Sequence, residues 1–397
     1  MEIYDSRYFI HNKRFQKALG VWPYQSRAKN IVVCGLLLLL MLGMLLPQIV
    51  RLKKYAGKDS DKMMENIFIL FYIFGIYIKL FTAVYAENRL KVLYESTAKN
   101  FQIYTGEAER RILYEYSERG RLLTLAFIVY MLPAVTVYVM LPMCPIIMDA
   151  AKPLDHPRYR MFILNGDYLV DEYDYYFYIY AFDSMAAIVT VAIMCATDPM
   201  YAAIVEHCLG LFSICKLRLK NFNKPNGTKA IEKTYYYSET CGDEYAYAAL
   251  VKVVQLHKDI FKYTEIMQAS YSLYFLLEMG VTMGVVVCNS VIIVMKLSQP
   301  LELVRWSLVL IGGLLHIFFL TWPGQKLINF SGDIFQDTYL NDWYESSLRC
   351  QKLLKFMSLR CLKPCELSGG GLYVMNFINF ATILKTSASY ITVFSSF

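Results

Sequence analysis

The chain has 397 residues, 56% of them hydrophobic and 15% aromatic, with a positive mean hydropathy. A soluble domain is usually about 45–50% apolar by this kind of count, so the excess points to lipid as the solvent. The net charge of +7 suits the cytoplasmic bias of Lys and Arg in a membrane protein, and no basic block interleaved with aromatics argues for nucleic acid.

Seven apolar runs follow in chain order, at approximately 31–50, 66–86, 122–148, 175–199, 269–297, 302–324 and 371–397. Each approaches the ~20 apolar residues that a membrane helix needs. The residues before them are mixed polar and basic, without the apolar core of a cleaved leader. The first run is therefore expected to act as the insertion signal. It holds five consecutive leucines, Leu36 to Leu40, and no charge. The third carries Pro133, Pro142 and Pro145, which predict kinks. The fourth contains Asp183 and the last is the most polar.

Segments 1–30, 87–121, 200–268 and 325–370 carry 28 Lys and Arg; 51–65, 149–173 and 298–301 carry eight. The positive-inside rule places the rich side in the cytoplasm. An odd number of spans then puts the carboxyl terminus outside, opposite to a G-protein-coupled receptor. Two glycosylation sequons, Asn226-Gly-Thr228 and Asn329-Phe-Ser331, fall on the cytoplasmic side and are expected to stay unmodified. None of the ten cysteines falls in an outer loop. Cys361 and Cys365, spaced C-x-x-x-C, read as reduced thiols rather than a zinc site, with five His in the chain and no partner pair nearby.

Between the spans, 201–222 and 243–268 keep helical apolar stripes. A third stretch, 334–358, places Trp343, Leu348, Leu353, Leu354 and Met357 at three- and four-residue spacing. These read as a cytoplasmic helical platform whose apolar faces need partners. The fold class is all-α and integral to the membrane. The organisation is a cytoplasmic amino terminus (1–30), six spans with cytoplasmic extensions (31–324, with 201–268), a cytoplasmic anchor helix (325–370) and a last span (371–397). No internal repeat, HExxH, GxSxG or phosphate loop is present, which argues against a transporter or an enzyme; no cofactor is expected.

The last run is GLYVMNFINFATILKTSASYITVFSSF. At ~100° per residue, Asn379, Thr382, Thr386, Ser389, Val393 and Phe397 fall on one stripe. Such a stripe suits a helix lining water, with an apolar constriction at its outer end. It also suits close packing between membrane helices.

The carboxyl-terminal third resembles the insect odorant receptors. The matching residues are Trp343-Tyr344-Glu345, Arg349 to Leu354, Phe356-Met357, Arg360, Lys363-Pro364, glycines 369–371, Leu384 to Ser387 and Ser389-Tyr390. The resemblance implies an odorant-binding subunit of a tetrameric, ligand-gated, non-selective cation channel in the plasma membrane of a sensory dendrite. The partner it implies is a shared co-receptor, met through 334–358, and the ligand a small hydrophobic volatile. It places the gate at Val393 and Phe397, where Phe397 departs from the family's aliphatic residue. It places the odorant among the outer halves of spans two, three, four and six, near five. Suitable residues there are Phe71, Tyr72 and Gly75; Val137, Tyr138 and Leu141; Tyr180, Asp183 and Ala187; and Trp306 and Leu310. Asp183 needs a partner, with Arg305 and Lys79 as candidates. A gustatory-type channel acting without the co-receptor is the alternative; a metabotropic receptor or a transporter is less favoured.

Overall fold

A computed structural model describes residues 2–152, 158, 160–223, 239–341 and 343–395. Phe397 and the Asn226 sequon lie outside the described residues. The fold is nearly all helix. The main elements are α1 (Ile10–Ala18), α2 (Arg27–Tyr55), α3 (Ser60–Tyr85), α4 (Glu87–Ile103), α5 (Glu107–Met140), α6 (Cys144–Ala151), α7 (Tyr176–Asn221), α8 (Glu239–Met295), α9 (Pro300–Tyr339), α10 (Leu348–Cys361) and α11 (Phe377–Ser395). Among the described residues, six helices, α2, α3, α5, α7, α8 and α9, are long and apolar enough to cross a membrane. α11, with 19 residues, spans ~28 Å. The protein is therefore a multi-pass membrane protein.

Two ends of the bundle can be distinguished. One holds α1, α4 and α10 with the extensions of α5, α7, α8 and α9; the other holds α6 and the loop residues 160–175. We call them the N-terminal end and the loop end.

The inner half of α7 is buried on every side, from Ile193 to Cys215 with few exceptions, as expected of a central helix apolar all round. It lies along α5 and α9 and also meets α1, α3 and α8. Gly120 of α5 lets the helices close: a Cβ there would stand 3.1 Å from the Ala203 Cα. The N-terminal residues seal this core: Trp22 stacks on Tyr94, Tyr4 packs against the Tyr94 ring, and Phe9 meets Tyr4 edge-on. Arg218–Glu109 (2.6 Å) and Lys326–Glu206 tie α7 to α5 and α9.

Helices 201–222 and 243–268 are as expected, as continuations of α7 and α8. Residues 334–358 are not one helix. α9 stops at Tyr339, a short 3-10 turn covers Trp343–Glu345, and α10 starts at Leu348. The break has chemical causes. Asn341 Nδ2 donates to the Leu219 carbonyl (2.7 Å), satisfying an acceptor near the end of α7. The Ser347 hydroxyl caps α10 by accepting from Cys350 N. The buried stripe of α10 is then Cys350, Leu354, Met357 and Cys361, whereas Trp343 and Leu348 are exposed. Burial pushes the Cys361 thiol up to about 12, and its Sγ lies 3.5 Å from His257 Nε2.

The last span starts later than expected. Residues 368–374 form a two-stranded hairpin, β1 (Ser368–Gly369) against β2 (Tyr373–Val374), antiparallel with Gly369 opposite Tyr373. Gly370 and Gly371 make the turn at positive φ, where a side chain would be strained. Gln268 of α8 clasps Ser368 through both its amide atoms at 2.8–2.9 Å, which fixes the direction in which α11 leaves.

Candidate functional site

At the loop end, α2, α3, α5, α7, α8 and α9 surround one apolar cluster. Its buried members include Phe68, Ile69, Ile73, Ala186 and Trp306, with Phe71, Tyr138, Tyr180 and Leu310 packed at its margin. Five of the eleven residues singled out as ligand-binding thus share one cluster. Trp306 meets Phe68 edge-on at 5.1 Å, and its indole donates to Glu302 at 3.1 Å. The hydroxyls of Tyr138 and Tyr180 leave the apolar zone to donate to the carbonyls of Ile163 (3.1 Å) and Val139 (3.0 Å). Buried Gly75 faces α8: a Cβ there would stand 3.4 Å from Val281 Cγ1 and 4.0 Å from Glu278 Oε2. Phe71 fills the space over Gly284, where a Cβ would come within 2.9 Å of its ring. Tyr72, Leu141 and Ala187 are half-buried. Val137 points away, at 61% exposed. An open groove of about 390 Å³ lies elsewhere, between α2 and α7, lined by Tyr168, Tyr175, Tyr178 and Phe182; none of the singled-out residues lines it.

Neither Arg305 nor Lys79 partners Asp183. Fully buried Asp183 instead accepts from the Tyr168 hydroxyl (2.6 Å) and from Leu164 N (3.2 Å). It fastens the loop 160–170 to α7. The same loop is clasped from α2: Arg51 donates to the Asn165 carbonyl, and Lys54 meets Asp167 at 2.6 Å. The hydrogen bond from Lys54 holds the Asp167 carboxyl below its ordinary range. Arg305 lies over the Tyr138 ring at 5.8 Å and 3.7 Å from Glu302.

Lys79 belongs to a polar cluster that sequence reasoning missed. Its ammonium sits 2.9 Å and 3.0 Å from the two oxygens of Asp198, 3.1 Å from Glu278 Oε1, and donates to the Tyr274 hydroxyl at 2.7 Å. The Tyr274 hydroxyl, His316 Nε2 and the Thr197 hydroxyl also meet Asp198, at 2.7 Å, 2.9 Å and 3.1 Å. Lys79, Asp198, Glu278 and His316 are all under a tenth exposed. They come from α3, α7, α8 and α9. The only sequence signal was an ionisable residue within or at the end of each of four apolar runs, which chain order does not bring together. A cavity of about 40 Å³ adjoins the cluster toward the N-terminal end, lined by Thr82, Thr197, Ser270 and Gln16 among others. Next to the aromatic cluster, Asn289 of α8 reaches into α9. With its amide oriented to satisfy both neighbours, it donates to the Trp306 carbonyl (3.1 Å) and accepts from Leu310 N (3.3 Å).

α11 packs Ile383 and Ser387 inward against α8 and α9. Thr382, Ser389 and Val393 are exposed, and Asn379 and Thr386 half-buried, so the polar stripe lies beside the packed face. The hydroxyls of Thr382, Thr386 and Ser389 donate to carbonyls one turn back at 2.8–3.0 Å. Asn379 spans from α11 to the hairpin, donating to the Val374 carbonyl at 2.8 Å.

Residues 59–388 match the family model of the 7tm odorant receptors. The chain belongs to this family. The family is one of receptors, not enzymes. Odorant receptor Or2 of Anopheles gambiae is 20% identical over 355 residues, 87% of either chain. Odorant receptor 67a of Drosophila melanogaster is 29% identical over 150 residues, 38% of this chain and 33% of that one. The olfactory receptor OR5 of Machilis hrabei, solved in complex with eugenol, superposes with a TM-score of 0.78 over 98% of this chain and 99% of its own, at 14% identity. A second structure of the same receptor superposes with a TM-score of 0.76, at 14% identity. The odorant receptor fold is thereby shared along nearly the whole chain.

Proposed function

We propose that this odorant receptor is the ligand-binding subunit of an odorant-gated, non-selective cation channel that assembles with a shared co-receptor into a heterotetramer. The observation that carries the reading is the pairing of an aromatic cluster at the loop end with an α11 stripe left outside the packed face. Phe71, Tyr138, Tyr180, Trp306 and Leu310 supply the apolar walls that a volatile needs, and Tyr72 and Gly75 stand beside them. Leu141, Asp183 and Ala187 bound the same end, Asp183 through its hold on the loop. Val137 faces lipid or a neighbouring subunit. The loop end is the outer side and the N-terminal end cytoplasmic, in keeping with the charge bias.

Thr382, Thr386 and Ser389 would line the conduction path, with Asn379 at its inner mouth and Val393 and Phe397 as the apolar constriction. The anchor in this reading is α10 with the end of α9. Phe356, Leu359 and Leu362 are more than half exposed on its outer side, and a second subunit would cover them. Ligand binding favours the arrangement in which the ring at Val393 is wider, so gating is a population shift. Asn289, tying α8 to the backbone of α9 beside Trp306, offers one route from the pocket toward α11.

Whole-cell current under a panel of volatiles, with and without the co-receptor, tests the reading. Current only with the co-receptor is expected. Current from this chain alone would favour the gustatory-type alternative. A Val393→Ala variant should raise basal current or alter gating, and an unchanged channel would remove Val393 from the gate.

A further inference from the structure

Glu278 is 4% exposed, and its Oε1 lies 3.1 Å from Lys79 Nζ. Its second oxygen, Oε2, is equally buried and has no hydrogen-bond partner among the described residues. Asp198, on the same ammonium, shows the contrast: both its oxygens are engaged, by Lys79, Tyr274 and His316. Leaving a buried carboxylate oxygen unpaired is costly, so its direction matters. Oε2 lies 4.0 Å from where a Cβ at Gly75 would be. Gly75 is one turn of α3 above Lys79. The free acceptor therefore faces the side of α3 that carries the pocket residues.

We propose that Glu278 Oε2 is a specificity-determining acceptor at the floor of the odorant pocket, and that the preferred ligands are small neutral molecules carrying a hydroxyl. The inference rests on the pocket reading above. Charge selects the class. A carboxylic acid would bring its anion against a carboxylate. A protonated amine would approach the Lys79 ammonium, which stands 3.1 Å from the other oxygen of the same carboxylate. An alcohol or phenol donates to Oε2 and leaves Oε1 on Lys79. The absence of a side chain at Gly75 supplies the approach. A hydroxylated ligand held there is one hydrogen bond away from the network that joins α3, α7, α8 and α9.

The test uses full-length receptor expressed with the co-receptor, phenols and short primary alcohols each paired with its methyl ether, and current as the readout. The hydroxyl member of a pair should act at roughly ten- to a hundred-fold lower concentration than its ether, the range for a hydrogen bond to a charged group. Glu278→Gln should shrink or invert that ratio. Because this variant also weakens the Lys79 shell, Gly75→Ala provides a second route. It puts a methyl group in front of Oε2 without touching the ion pair, and should weaken the hydroxyl compounds more than the ethers. Surface biotinylation establishes that each variant reaches the membrane. A wild-type receptor without preference for the hydroxyl member, or an unchanged ratio in both delivered variants, overturns the proposal. Trp306→Ala separates the two readings. If it weakens both members of each pair while the Glu278 and Gly75 variants leave the ratio alone, the pocket stands and the Glu278 assignment falls. If Trp306→Ala changes nothing, the pocket reading falls first.

Discussion

Asp183 and Asp198 are both fully buried on α7, about 22 Å apart along its axis, and the two regions satisfy them in opposite ways. Asp183, toward the loop end, has no cation against it among the described residues; a tyrosine hydroxyl and a backbone N–H from the loop 160–170 take its oxygens. Asp198 lies at the meeting point of α3, α7, α8 and α9 and is held by a lysine, a histidine and a tyrosine. One aspartate fastens a loop, the other fastens helices. The loop end is therefore closed by hydrogen bonds that a local movement can exchange. The middle of the bundle is closed by charges that can separate only if several helices move together.

The largest effect should come from Asp198. Asp198→Ala leaves Lys79 with Glu278 as its one carboxylate and the Tyr274 hydroxyl beside it, and strips His316 and Tyr274 of their acceptor. Removing one partner of a buried pair costs about 3–5 kcal/mol, so detergent-solubilised variant should lose most of its thermal stability and its surface delivery should collapse. Replacing the pair together, Lys79→Met with Asp198→Leu, should recover only part of the loss. An apolar replacement of a simple buried pair is often neutral, but here Glu278 would be left buried without its cation. Full recovery would break the comparison by showing that the cluster acts as an isolated pair.

Asp183→Ala should be milder and local. It removes two hydrogen bonds to a carboxylate, each worth about 1.5–3 kcal/mol when the acceptor is charged. Hydrogen exchange at the Leu164 amide should quicken while amides in the buried half of α7 stay protected. If the Asp183 variant proved as damaging as the Asp198 variant, the distinction between loop and helix fastening would not hold.

The sequence made the helices legible and the junctions between them less so. The leucine run of α2 and the long apolar runs of α7 and α8 announce themselves because their length and composition suit a spanning helix. The break between α9 and α10 does not. It depends on Asn341 reaching a carbonyl of α7, 122 residues away in sequence. Asp183 stood out as a charge inside an apolar run, but its partners lie on a loop that has no periodic pattern. Lys79 and Asp198 are separated by 119 residues, and Asp198 sits one residue from the end of its apolar run, where an acidic residue is ordinary. In the aromatic cluster, the family resemblance pointed to the outer halves of the spans, and residue type then picked Phe71, Tyr138, Tyr180, Trp306 and Leu310, which share one cluster. Val137, one position from Tyr138, faces the other way because neighbours on a helix are ~100° apart.

The smallest effect sharpens the comparison most. Tyr168→Phe deletes one donor to Asp183 and keeps the ring that packs edge-on near Phe182, 6.3 Å between centroids. The Leu164 amide remains as the second donor, so the expected loss is about 1.5 kcal/mol, the low end for one bond to a charged acceptor, and the receptor should still reach the surface. The hydroxyl also bridges two places: its ring lines the open groove between α2 and α7, and its oxygen holds the buried acid. If the loop is the element that loosens when ligands enter, Tyr168→Phe should speed exchange through residues 160–170 and shorten ligand residence, with little change in thermal stability. If the same variant lowers stability as much as Asp183→Ala does, the carboxylate depends on that single hydroxyl. The Leu164 amide, at the longer 3.2 Å, would then be a bystander, and the loop end would be fastened at one point.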